Sequence, residues 1–185
     1  DTDSNRNNDN AKDAIIEAFV WLGLEYDDKE IYQSKREDIY KKYIQQLLDE
    51  NKAYYCYMTK EELDNLRSIQ ISNKQTPKYD GRYRDFQGIP PKDIDPVIRI
   101  KSPLSGTIEF EDIVKGKMVF DSNVIDDFII ARSNGVATYN FVVAIDDALM
   151  KISEVIRGDD HLINTPKQLI IYKALNFNIP KFIHI

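Results

Sequence analysis

The chain of 185 residues holds one cysteine, Cys56, one tryptophan and two histidines, His161 and His184. A single thiol excludes an intrachain disulfide, so packing alone has to hold the fold. The two histidines stand at no recognised ligand spacing, which argues against a histidine-based metal centre. No apolar run approaches the roughly 20 residues of a membrane helix, and nothing reads as a secretory signal. An excess of positive charge is missing as well, because the net charge is -6. That sign speaks against indiscriminate attachment to phosphate, since charge attraction supplies most of such affinity. These absences leave a globular, cytoplasmic protein with no membrane partner, long enough for one core or for a core plus an inserted module.

What is present is unevenly spread. Between Lys74 and Lys117 there are nine Lys/Arg against seven Asp/Glu, inside an otherwise acidic chain. Arg82, Arg84 and Lys101 lie in this section. A phosphate backbone would be met there if anywhere, although a merely solvated face has the same composition.

Periodicity divides the chain into three. Asn10 is an N-cap for a helix over 11–22, with Ile15, Ala18, Phe19 and Leu22 as its apolar stripe and Gly23 at its left-handed end. Ser34 to Glu37 reads as a capping box for a second helix with Ile39, Tyr43, Ile44, Leu47 and Leu48 inward. A strand at 54–58 and a capping box at Thr59 to Glu62 follow, the latter opening a third helix to about Ile69. Residues 72–96 dissolve into Gly, Pro, Lys and Asp. Four stretches, 97–101, 107–114, 117–121 and 128–131, then read as one small antiparallel sheet with turns at Lys115-Gly116 and Asn134-Gly135. The order makes sense as an insertion: residues 1–53 and 137–185 form two parts of a Rossmann-like α/β domain, and 54–136 an α+β module between them.

The chain is organised around residues 132–161. Ile152 to Ile156 is a β-branched run expected as a buried strand, ending in Arg157-Gly158. In Thr165-Pro166-Lys167-Gln168 a hydroxyl, a proline and a glutamine are spaced as a helix start. Asp159, Asp160 and His161 therefore fall on a strand-to-helix connection, at the edge of an α/β sheet where ligands bind. Arg157 at the mouth of that strand presents a planar fork suited to a carboxylate, or else it pairs with Asp159 or Asp160. Tyr139 opens a helical stripe of Phe141, Val142, Ile145 and Leu149 and faces the same crevice.

Tyr139-Asn140-Phe141, Val155 to His161 and Asn164 to Gln168 resemble the central stretch of bacterial glutamyl-tRNA synthetases, which are class I aminoacyl-tRNA synthetases. The likeness extends to Asp1-Thr2-Asp3, Trp21-Leu22-Gly23-Leu24, Tyr32-Gln33-Ser34 and Asp80-Gly81-Arg82. It implies a Rossmann-like class I catalytic domain interrupted by a connective-peptide module that binds the tRNA acceptor end. The family's two ATP signatures, His-Ile-Gly-His and Lys-Met-Ser-Lys-Ser, would fall before Asp1 and after Ile185, so an internal fragment without catalytic residues, inactive alone, is expected. The implied reaction joins L-glutamate to tRNA(Glu) through glutamyl-adenylate, with ATP and Mg2+, in a monomer. A shortened paralogue that glutamylates a base of tRNA(Asp) and a non-catalytic acceptor-binding module are the rivals.

By the same resemblance Tyr139 and Arg157 hold glutamate, while Asp159, Asp160 and His161 lie beside ATP. Asp159 stands where the family usually has Glu, one methylene longer. Asp3, Arg6, Arg82, Arg84 and Lys101 are the tRNA candidates. Some members bind zinc in the inserted module through Cys-x-Cys and a further Cys. Here Cys56-Tyr57-Met58 and Tyr83 occupy those places, so no zinc is expected.

Overall fold

Gly23 ends the first helix, α1 (Asp9–Leu22), in the left-handed conformation its lack of a side chain permits, at φ 67°. The amide of Leu24 donates to the Phe19 carbonyl and that of Gly23 to Val20, the paired bonds of a Schellman stop. The computed structural model describes residues 9–24 and 30–185, which divide into two units at Glu37. On the expected stripe of α1, Ile15, Phe19 and Leu22 are 58, 41 and 59 % exposed. Periodicity identifies an apolar face without saying what meets it. Ser34 lies inside a short 3-10 turn, Gln33–Lys35, just ahead of the second helix.

The second unit begins at Asp38, within α2 (Glu37–Asp49), which buries Tyr40, Ile44 and Leu47. After β1 (Ala53–Cys56) comes α3 (Lys60–Ser72). Its capping box is fully formed: Thr59 Oγ1 accepts from the Glu62 amide, and the Glu62 carboxylate accepts from the Thr59 amide. Residues 73–96 carry no regular element, as their composition implies.

The remaining strands do not make one small sheet. β2 (Val97–Ile100) lies between β1 and β5 (Ile129–Ala131) in an antiparallel three-stranded sheet. The hairpin of β3 (Thr107–Asp112) and β4 (Gly116–Asp121), turned by Gly116 at φ 75°, joins a different sheet. That sheet contains β6 (Glu154–Arg157) and β7 (Lys181–His184) in the order β4-β3-β7-β6. β6 and β7 are parallel neighbours, and β3 runs parallel to β7. Between them α4 (Tyr139–Leu149) precedes β6, and α5 (Thr165–Ala174) crosses from β6 to β7 in a βαβ unit. The sequence order alone cannot reveal this exchange, because alternation marks a strand and not its partner.

One apolar core runs through this unit and is continuous across positions 53/54 and 136/137. Leu47, Ile100, Ile108, Ile130, Phe141, Ile145, Ile171 and Phe182 all belong to it. A smaller cluster packs Tyr54, Cys56 and Tyr79 with Met58, Leu63, Tyr83 and Val97. The β6 run is less buried than its β-branched sequence suggests, and Ile156 is 64 % exposed. Among the described residues β6 is the edge strand of its sheet, with a neighbour on one side only. Among the described residues no helix is long and apolar enough to cross a membrane.

Candidate active-site crevice

The end of β6, the start of α4 and the start of α5 converge, which brings Tyr139, Arg157 and the Asp159 to His161 connection together as the sequence implies. That connection is a 3-10 helix, Asp159–Asn164, leading directly into α5. Thr165 is not the cap expected of it. It is already helical and fully buried, and its hydroxyl is committed to Arg157 and His184. Gln168 reaches Asn140 at 3.2 Å instead of folding back to the helix start. Local spacing allowed both caps, but tertiary partners took the side chains.

Arg157 is half-buried at the carboxyl end of β6. Its Nε donates to His184 Nε2 at 3.1 Å and its Nη2 to Thr165 Oγ1 at 2.7 Å, with the guanidinium carbon 5.4 Å from the centre of the Phe182 ring. The pairing with Asp159 or Asp160 that the sequence left open does not occur. Asp159 binds Lys115 at 2.5 Å, and Asp160 stands 3.7 Å from His161. Among the described residues no carboxylate lies within ion-pair distance of Arg157. Burial lowers its basicity, an effect opposed by the nearby Tyr139, Asp147 and Tyr172, but a guanidinium stays charged in proteins. A half-buried cation with no carboxylate in contact favours an anionic ligand.

Behind this group lies a pair that sequence reasoning did not single out. His184 Nδ1 and Asp112 Oδ2 are 2.6 Å apart and both side chains are fully buried. Burial disfavours the Asp112 carboxylate, yet bonds from His184 and from the amides of Lys115, Val114 and His184 outweigh that and hold its pKa at about 2. No local signal could have found this pair, since its members are 72 residues apart.

Asp147 and Tyr172 were missed as well. Burial pushes the Asp147 carboxyl up to about 6, against the lowering effect of Arg157, and Asp146 adds to the rise. Tyr172 is raised by burial and by Asp147. The sign of the consequence follows from the raised value. Asp147 keeps its proton in the folded state from about pH 4, where an unfolded Asp loses it, up to about pH 6. Its ionisation therefore costs stability progressively across that window and fully above it. Asp147→Asn should stabilise the full-length protein by about 1–2 kcal/mol at pH 8 and by little at pH 4.5. Urea unfolding of the variant and its parent at both pH values measures this, and an equal effect at the two would refute the assignment.

Tyr139 is the first residue of α4, and its hydroxyl lies 3.5 Å from His161 Nδ1. Asn164 Nδ2 is 3.3 Å from the same nitrogen and Asn140 links Asn164 to Gln168, so a polar chain lines one side of the crevice. The two amide side chains give the aromatic hydroxyl and the imidazole fixed neighbours.

The basic candidates are not gathered into a free patch. Arg82 is held side-on by Asp80 at 2.7–3.2 Å. Arg84 Nη1 donates to Asp127 at 2.6 Å, in a pair whose side chains are 18 and 5 % exposed. Lys101 binds Asn51 and Asp85, each at 3.0 Å. Counting charge along the chain registers sign and misses these partners. Asp3 and Arg6 lie outside the described residues.

Residues 1–185 match the family described as tRNA synthetases class I (E and Q), catalytic domain. The chain belongs to this family. Class I synthetase catalytic architecture, with mixed α/β content, is thus its fold. Over 186 positions it is 68 % identical to glutamate–tRNA ligase 1 of Campylobacter hominis, and over 185 positions 65 % identical to that of Helicobacter pylori. All of this chain is covered in both cases, and 40 % of either relative. Among solved structures, a glutamate tRNA ligase from Elizabethkingia meningosepticum in complex with its amino acid matches at TM-score 0.87 and 32 % identity. It covers the whole of this class I chain and 41 % of its own. The synthetase chain described here thus spans about two fifths of the length of the relatives it matches.

Proposed function

We propose that the full-length protein attaches L-glutamate to tRNA(Glu) through glutamyl-adenylate, with Arg157 holding the substrate's side-chain carboxylate. The observation that carries this reading is a half-buried guanidinium at the carboxyl edge of the β6–β7 pair with no carboxylate among the described residues within ion-pair distance, Asp147 acting on it only from further away. A glutamate side chain supplies that charge, whereas the uncharged amide of glutamine would leave the demand unmet. The names of the relatives agree with this substrate. Tyr139 contributes ring and hydroxyl to the same pocket, and Asp159, Asp160 and His161 border the ATP. Lys115 already engages Asp159, so that residue organises the connection more than it reaches for the nucleotide.

Residues 54–136 are read as the acceptor-binding insertion between 1–53 and 137–185, although they share one core with 38–53 and 137–185 and lend the β3–β4 hairpin to the β6–β7 sheet. Arg82, the most exposed of the three basic candidates there, is the one best able to exchange its carboxylate for a phosphate. Asp3 and Arg6 remain tRNA candidates. Mg2+ accompanies the triphosphate. No zinc is expected in the inserted segment, because Met58 and Tyr83 replace thiolates poorly in a tetrahedral site. The enzyme acts as a cytoplasmic monomer.

The test is ATP–pyrophosphate exchange by the full-length protein in the presence of tRNA(Glu), with glutamate or glutamine as substrate. Exchange with glutamate should exceed that with glutamine by about 10³ or more. Equal exchange with both overturns the role given to Arg157. Glutamate transferred to tRNA(Asp) instead identifies the shortened paralogue, and no exchange at all a non-catalytic module.

A further inference from the structure

Parallel pairing in register sets Arg157 directly opposite His184 on neighbouring strands. His184 and Phe182, two residues apart, share one face of β7 and both meet the arginine side chain. The chemistry of the partners fixes the state of the imidazole. The Asp112 carboxylate, ionised above a pKa of about 2, can only accept, so the proton sits on Nδ1. The guanidinium Nε–H can only donate, so Nε2 carries the lone pair. The Thr165 hydroxyl closes the triangle by accepting from Arg157 Nη2, with His184 Nε2 3.2 Å away.

Arginine has two edges able to grip a carboxylate, one formed by Nε and Nη2 and one by Nη1 and Nη2. His184 and Thr165 occupy the first. Nη1 has no partner among the described residues, so the second edge is the one left to a ligand. We propose that Asp112, His184 and Thr165 are positioning residues for glutamate specificity: they consume the side edge of Arg157 and thereby aim its end edge at the substrate carboxylate. This rests on the reading of Arg157 as the carboxylate binder. An imidazole protonated on both nitrogens, or with its proton on Nε2, would turn an N–H against the Nε–H of the arginine. The Asp112 carboxylate prevents the second of these by accepting the proton held at Nδ1.

The experiment separates the two faces of the imidazole in the full-length protein. In His184→Asn the side-chain amide lies where Nδ1 lay, so it keeps a donor for Asp112 and loses the acceptor for Arg157. In His184→Gln the amide oxygen lies where Nε2 lay and restores that acceptor. Calorimetric titration with glutamate should show a dissociation constant about tenfold higher for His184→Asn and within about threefold of the parent for His184→Gln. Thr165→Val, which keeps shape and removes the second anchor, should also weaken glutamate by about tenfold. ATP affinity should stay as in the parent for all three. A folded His184→Asn protein with parental glutamate affinity overturns the proposal, as does a Gln variant no better than Asn or an equal loss of ATP and glutamate binding. If His184→Asn does not fold, the Thr165→Val titration decides in the same terms. Arg157→Ala measured alongside distinguishes the two failures. Should it weaken glutamate while the anchor variants do not, the positioning role alone is lost; should it leave glutamate unaffected, the carboxylate reading falls as well.

Discussion

Arg157→Ala in the full-length protein should lower kcat/KM for glutamate by about 2–5 kcal/mol, mainly through a higher KM. The magnitude is that of a desolvated charge pair with one member removed. The substrate carboxylate would enter a half-buried pocket with no guanidinium to meet it, while Asp147 remains nearby. Arg157→Lys should recover little. An ammonium offers a point charge, and it cannot bond His184 and Thr165 along one edge while presenting a second edge outward. Steady-state kinetics across a glutamate series, with the ATP dependence measured in parallel, separates this from general damage. Near-parental KM in the Ala variant would take Arg157 out of the pocket.

A loss of comparable size, in stability rather than activity, is expected at Asp127. This carboxylate is 5 % exposed and accepts from the Tyr54 hydroxyl at 2.7 Å, from Arg84 at 2.6 Å and from the Ser102 amide at 2.8 Å. Its backbone carbonyl accepts from the buried Arg99, whose guanidinium lies 4.0 Å from the centre of the Tyr79 ring. Asp127→Ala leaves a hydroxyl, an amide and a guanidinium without their acceptor and should cost about 3–5 kcal/mol. Asp127→Asn keeps an acceptor oxygen for some of them and should cost roughly half as much. The urea midpoint of the full-length protein reports both, and an Ala variant as stable as its parent would disprove the hub. Neutralising Arg84 to probe tRNA would disturb the same network, so Arg82 is the residue to change for that purpose.

The sequence was most legible where structure depends on neighbours in the chain. The Thr59 capping box, the Gly23 stop and the Asn134-Gly135 turn, with Gly135 at φ 80°, follow from spacing and backbone freedom alone. The placement of Arg157, Tyr139 and the Asp159 to His161 connection in one crevice was legible for a related reason, since a strand followed by a helix leads its connection to a sheet edge. Legibility failed where a side chain's partner is distant. Thr165 has the appearance of a cap until Arg157 and His184 claim its hydroxyl. Tyr40 was not singled out, although it is buried and donates to the buried Asp146 across 106 positions. Arg84 and Lys101 look like free cations until Asp127 and Asp85 are placed beside them. The β3–β4 hairpin was recognised as a hairpin but given to the wrong sheet, because its parallel partner β7 enters the chain some 70 positions later.

The dispersal of the arginine cradle also bears on the order in which the protein is made. Asp112 leaves the ribosome well before His184, with 72 positions between them. At roughly 5–20 residues per second that interval lasts several seconds. Until β7 emerges and docks between β3 and β6, Asp112 has no imidazole to bind and Arg157 has no neighbour to direct its fork. The bonds that hold Arg157 are therefore completed only once β7 has joined β3 and β6.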